Sequence, residues 1–247
     1  MRLLLITLLL TTLLSSGTIR IAVAANVSYA MKDLKKEFNT LYPHIKIQVA
    51  LGSTGKLTAQ IKNKAPYDIL MGANMYYPNT LYKEGFAITL PHIYAQGSLA
   101  LITTRGYDMS QGIDSLSNAK IKKIAIANPK TAPYGIATLE ALKNAKLYQA
   151  NKSKLVYGES ISQTVTYAMK ATDFGFIAKS ALYSPQMSHL KKDRHWVEIN
   201  SKLYTPIDQG IVILKRAKAN QEVKAFYDFI RSPQAKVIFE KFGYLVP

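Results

Sequence analysis

Apolar positions along this chain fall into two alternating patterns, short continuous runs and helical stripes. Residues 19–24 (IRIAVA) are apolar apart from Arg20, the pattern of a buried strand. Val27, Ala30, Met31, Leu34, Phe38 and Leu41 then recur at spacings of three and four and mark one helical face, with Asn26 placed to cap its start and Pro43 to end it. Residues 45–50 predict a second strand, Leu57 and Ile61 a short helix, residues 69–71 a third strand, and residues 75–83 a helix stopped by Gly85. The rhythm continues with strands over 99–103 and 124–127 and a helix after Pro133 carrying Ile136, Leu139 and Leu142 on one side. Ser160 is positioned to cap a helix with Ile161, Val165 and Met169 at intervals of four, followed by strands over 174–178 and 211–214. Two C-terminal helices carry Val223, Phe226 and Ile230, then Ala235, Ile238 and Phe242. Strand and helix in alternation predict an α/β fold with mainly parallel sheets. Such folds collect strand carboxyl ends and helix N-termini around a cleft.

Composition narrows the class. The 247 residues are 48% hydrophobic and 19% charged, which is globular rather than disordered, and the length suits one large domain or two lobes. Cysteine is absent, so disulfides, thiolate metal sites and a cysteine nucleophile are excluded, as is a lipoprotein anchor. Residues 1–17 combine Arg2, an apolar run over 3–14 broken by threonines, and the small residues Ser15, Ser16 and Gly17. They read as a secretory signal peptide cleaved near Gly17, because a membrane anchor needs roughly 17–25 apolar residues. Cleavage after Ala22 or Ala24 would destroy the first strand. The expected mature protein is exported, soluble and monomeric, with a periplasmic location.

The formal charge is +17, and the leader carries only Arg2 of it. A basic chain favours anionic partners. No zinc-finger spacing or arginine-rich arm supports nucleic acid, and the lysines are spread as a solvated surface would have them. The sharper reading is a field that steers a small anion.

Four strand-to-helix junctions share a character: AANVS (residues 24–28), GSTG (52–55), APYG (132–135) and GESIS (158–162). Each enters a helix through small, hydroxyl or amide residues. Helix N-termini leave N–H groups unpaired, carry partial positive charge and bind oxyanions, while Asn26, Ser53, Thr54 and Ser160 add side-chain donors. The same residues are ordinary caps, and only convergence of the junctions on one cleft separates the two readings. Enzyme signatures are weak. His44, His92, His189 and His195 have no metal-ligand spacing, and no nucleophile elbow, phosphate loop or dinucleotide fingerprint occurs. Asp68, after Ala65-Pro66, reads as a cleft residue or, more ordinarily, as a strand-entry or hinge carboxylate.

Residues 24–34 (AANVSYAMKDL), 52–61 (GSTGKLTAQI), 65–74 (APYDILMGAN), 128–142 (NPKTAPYGIATLEAL) and 223–244 (VKAFYDFIRSPQAKVIFEKFGY) together resemble the periplasmic molybdate-binding proteins of ABC importers. The resemblance implies a two-lobe type II periplasmic binding-protein fold with a ligand cleft between lobes that close by hinge motion. It divides the chain into 18–96 and 207–247 as one lobe and 97–206 as the other, with crossings near residues 92–96 and 204–209. It implies no catalysis and no cofactor, molybdate or tungstate as ligand, and a membrane permease as partner. The ligand positions it implies are Asn26 through its side-chain NH₂, the Thr54 hydroxyl and the backbone amides of Tyr134 and Ile161, with Val27, Ser53, Gly55 and Ser160 as neighbours. A tyrosine found in some members falls on Ala178, so that donor is missing; Tyr134 or Lys179 would be its substitutes. Lys56 is expected on the cleft rim. A cage of neutral donors suits unprotonated dianions, which only accept hydrogen bonds, and disfavours phosphate, whose proton would face an N–H at a cost of about 1–3 kcal/mol. Sulfate is also acceptor-only, so cavity size must reject it. A receptor for sulfate or another oxyanion, and a secreted α/β enzyme acting on an anion, are the rival functions.

Overall fold

The computed structural model describes residues 17–247; the expected signal peptide lies outside them except for Gly17. Among the described residues no helix is long and apolar enough to cross a membrane. In chain order the elements are β1 (Thr18–Ala24), α1 (Ser28–Leu41), β2 (Lys46–Gly52), α2 (Thr54–Lys62), β3 (Ile69–Met71), α3 (Tyr76–Lys83), β4 (His92–Gly97) and β5 (Leu99–Ile102). They continue with β6 (Ile124–Ala127), α4 (Pro133–Asn144), α5 (Tyr148–Asn151), β7 (Leu155–Gly158), α6 (Ile161–Lys170), β8 (Phe174–Ala178), β9 (Trp196–Glu198), β10 (Ile207–Ile213), α7 (Gln221–Ile230) and α8 (Pro233–Lys241).

Two five-stranded sheets result, ordered β2-β1-β3-β10-β4 and β7-β6-β8-β5-β9. The chain leaves the first sheet after Gly97, enters the second at Leu99, and returns at Ile207. Each sheet is mixed, which corrects the expectation of mainly parallel pairing. β1 is parallel to β2 and β3, and β6 to β7 and β8. β10 is antiparallel to β3 and β4, and β5 to β8 and β9. The reason is connectivity: β5 and β10 each enter their sheet directly from the other one, without the helical crossover that parallel pairing needs.

Alternation along the central strands fills a core on each face. Ile19, Ile21 and Val23 of β1 turn toward α1, α7 and α8, whereas Ala22 turns toward Leu57 and Ile61 of α2. In α1, Ala30, Met31, Leu34 and Phe38 are buried, and Phe38 packs edge-on against Phe226 with ring centroids 5.1 Å apart. Leu41, expected on that face, is half exposed at the helix end. In the second sheet Ile124 and Ile126 of β6 meet Ala141 and Leu142 of α4, while Ala125 meets Ala168 of α6. The buried side of α4 is Tyr134, Ala137, Thr138, Ala141 and Leu142, so Ile136, expected inside, points outward.

Candidate functional site

The start of α2 follows β2 through Gly52 and Ser53, the start of α4 follows β6, the start of α6 follows β7, and β1 runs into a 3-10 turn, Ala25–Val27. All four meet. Asn26, Ser53, Thr54, Tyr134 and Ile161 line one small cavity of about 10 Å³ together with Ala24, Ala25, Gly52, Ala73, Ala132 and Pro133. Among the described residues no carboxylate, histidine, lysine or arginine is in its wall. Among the described residues no group of three or more His, Cys, Asp or Glu is placed to hold a metal ion. The wall is therefore built of backbone amides, hydroxyls and small apolar groups at the positive ends of three helices, which attract an anion without opposing charge.

Local sequence explains the geometry. Pro133 occupies the first turn of α4, where its missing N–H is no loss. Gly135 lets that turn abut the end of β6, since a Cβ there would lie 2.2 Å from the Ala127 carbonyl oxygen. The N–H groups of Tyr134 and Ile161 lie in the first turns of their helices, where no intrahelical carbonyl can reach them. Thr54 is fully buried at the first position of α2, and its Oγ1 accepts the Ala73 N–H at 3.0 Å. One of its two lone pairs is thereby occupied, and its proton is left to donate. Ser53 is the N-cap of α2 yet makes no cap bond, and its buried Oγ has no partner among the described residues.

Asn26 differs from expectation in two ways. A 3-10 turn precedes α1, whose N-cap is Val27 without a side-chain bond, so Asn26 is not its cap. Its Nδ2 donates to Gln209 Oε1 at 2.7 Å and to the Tyr244 hydroxyl at 2.9 Å, so the NH₂ is engaged by protein and not offered to the cavity. The network fixes that orientation. Tyr244 gives its one proton to the Asn26 carbonyl at 2.9 Å, and Gln209 Nε2 donates to the Ile207 carbonyl at 2.9 Å. Both groups therefore face Asn26 as acceptors. Ser180 Oγ also donates to the Asn26 carbonyl, at 3.0 Å. The Asn26 Oδ1 and the Tyr134 hydroxyl are buried without partners among the described residues. Burial pushes the phenols of Tyr134 and Tyr244 above their ordinary range, so both stay neutral at physiological pH.

The remaining sequence candidates separate. The Val27 side chain lies in the core of the first sheet. Gly55 donates its N–H to the Thr131 carbonyl at 2.9 Å. Ser160 does cap α6, accepting from Gln163 N at 3.3 Å, and lines a recess outside the cavity. Ala178 contributes only a buried methyl, and Lys179, a possible stand-in for a missing donor, pairs with Glu198 at 2.7 Å. Asp68 sits at the entry to β3, accepting the Arg20 N–H of β1 at 2.7 Å and pairing with Arg216 at 3.0 Å, so it is a strand-entry carboxylate and not a cleft residue. Lys56 lies on the rim, exposed, and pairs with Glu159 across the cleft. Together with Gly55–Thr131, Ser162 Oγ to the Ala25 carbonyl at 3.0 Å and Ser180–Asn26, this pair joins elements of the two sheets around the cavity, as in a closed cleft. Tyr244, Gln209, Ser180, Thr131 and Glu159 were not visible in the sequence. Thr131, Glu159 and Tyr244 lie within the quoted motifs but drew no role there, because the partners of all five lie far away in the chain.

Comparison with known proteins places this geometry. Residues 19–245 match the model of the family described as bacterial extracellular solute-binding protein. The chain is 36% identical over 232 residues to the molybdate-binding protein ModA of Azotobacter vinelandii, covering 93% of this chain and 90% of that one. It is 31% identical to the molybdate-binding protein ModA of Rhodobacter capsulatus, covering 94% and 89%. Among solved structures, the periplasmic molybdate-binding protein of Azotobacter vinelandii superposes with a TM-score of 0.85 at 28% identity, covering 93% of this chain and 99% of that one.

Proposed function

The chain belongs to the bacterial extracellular solute-binding proteins, and from that premise we propose that it captures molybdate or tungstate outside the cytoplasm and delivers it to the membrane permease of an ABC importer. It changes no bond in its ligand. The observation that carries this reading is the meeting of three helix N-termini and the residue 25–27 turn on one cavity with no charged or acid–base side chain in its wall. The names of the two relatives at 36% and 31% identity support molybdate as the anion.

In this reading the Thr54 hydroxyl, the N–H groups of Tyr134 and Ile161, and the backbone of Asn26 and Val27 hold the oxyanion. Residues 18–96 with 207–247 form one lobe and 97–206 the other, and they close over the ligand. The leader is removed near Gly17, leaving a periplasmic monomer. Donors alone suit a dianion that carries no proton; a protonated oxygen would meet an N–H and lose a hydrogen bond. Calorimetric titration of protein beginning at Thr18 with molybdate, tungstate, sulfate and phosphate tests the proposal. The expected result is one-to-one binding of molybdate or tungstate and no comparable binding of phosphate. Phosphate bound as tightly as molybdate, or no oxyanion bound at all, contradicts it.

A further inference from the structure

We propose that the Ser53 hydroxyl is a ligand-holding donor of this cavity, separate from the adjacent Thr54 hydroxyl, and that it grips an unprotonated oxygen of the anion once the cleft has closed. The inference rests on the receptor reading above. Ser53 has the backbone of a helix N-cap, with φ −68° and ψ 143°. A serine there ordinarily accepts an N–H from the helix's first turn. Among the described α-helices, the other three with a serine or asparagine N-cap show this bond: Ser160 accepts from Gln163 N at 3.3 Å, Asn220 from Glu222 N at 3.0 Å, and Ser232 from Ala235 N at 3.3 Å. Ser53 does not, although its residue is only 4% exposed and its Oγ is sealed from solvent without a partner. A buried hydroxyl left unpaired is unfavourable, so the site is complete only when something accepts its proton.

Its place in the fold says what that acceptor is. Ser53 lines the inner cavity beside Thr54, Tyr134 and Ile161, and also the recess outside it that holds Lys56 and Glu159. It therefore stands where the anion's outward-facing oxygen would sit. The Thr54 hydroxyl is oriented by the Ala73 N–H; among the described residues no atom orients that of Ser53. It is free to turn toward whichever anion oxygen approaches, and its proton complements an acceptor-only dianion.

The test compares Ser53→Ala with Ser232→Ala, the cap of α8 and not a residue of the cavity wall, using molybdate as the probe. We expect Ser53→Ala to raise the dissociation constant roughly tenfold or more, the effect of losing a hydrogen bond to a charged group. The change should lie in a faster dissociation rate, with the melting temperature of the ligand-free protein unaltered. Ser232→Ala should do the reverse, lowering the melting temperature and leaving the affinity alone. Wild-type affinity in Ser53→Ala, or a ligand-free destabilisation matching that of Ser232→Ala, overturns the assignment while leaving the receptor reading intact. Failure of the unmodified protein to bind molybdate removes both.

Discussion

Thr54 shows how one side chain serves two partners. It accepts the Ala73 N–H at 3.0 Å and so aims its proton elsewhere. Thr54→Val keeps the shape and removes the hydroxyl; affinity for molybdate should fall by about 1.5–3 kcal/mol, the range for a hydrogen bond to a charged group. Ligand-free stability should fall as well, because the Ala73 N–H loses its acceptor. Unchanged affinity in a calorimetric titration would reduce Thr54 to a structural role. Asn26 teaches a different lesson. Its position before a helix suggested a cap and an amide donor, yet Gln209 and Tyr244, 183 and 218 residues away, take its NH₂. No local pattern encodes partners at that separation. Tyr244→Phe removes the group that both donates to and accepts from Asn26. It should cost about 1–3 kcal/mol of folding stability and weaken binding too, measurable by denaturant unfolding with and without molybdate. Undiminished stability would mean that the clamp on Asn26 is dispensable.

At the scale of elements, the decisive feature is that helix starts, not helix bodies, meet across the cleft. Gly55 is where α2 touches the other lobe: its N–H reaches the Thr131 carbonyl at 2.9 Å, and an added Cβ would lie 2.9 Å from that oxygen and 2.6 Å from the Tyr77 hydroxyl. Gly55→Ala should therefore penalise the closed arrangement by about 1–3 kcal/mol, the usual cost of overpacking, and spare the ligand-free fold. Stopped-flow measurements should find faster molybdate release at an unchanged melting temperature; wild-type release would mean the cleft closes without this contact. The elements themselves were unevenly legible. β3, β6 and β8 lie where their continuous apolar runs put them, because each is buried on both faces. β7 and β9 left little signal: they are edge strands of four and three residues with exposed or half-exposed positions. β4 and the first half of β10 were seen only as passages between lobes, since Gln96, Asp208 and Gln209 interrupt their apolar pattern.

For the molecule as a whole, charge and site are divided. The chain carries a formal +17, whereas the cavity wall carries none. Surface charge attracts the dianion on approach and is screened beyond about 8 Å at physiological ionic strength; donors inside a closed cleft govern residence. Raising the salt concentration should slow association and leave dissociation nearly constant. Lys56 belongs to both regimes. Read from sequence it was a rim charge that steers the ligand, but its pairing with Glu159 also latches the lobes. Lys56→Gln should slow association and, because an exposed pair contributes about 0.2–1 kcal/mol, speed release by at most about fivefold. Release accelerated far beyond that would place Lys56 against the anion itself and contradict a neutral donor shell.

That shell is the centre of the account, and a crystal structure of the protein with molybdate, its metal located by anomalous scattering, tests it most directly. The account predicts one molybdenum peak within the cavity between the starts of α2, α4 and α6. Its oxygens should lie within hydrogen-bond reach of Thr54 Oγ1 and the N–H groups of Tyr134 and Ile161, with no lysine, arginine or histidine in contact. A peak outside the cavity, or one held there by a charged side chain, would contradict it.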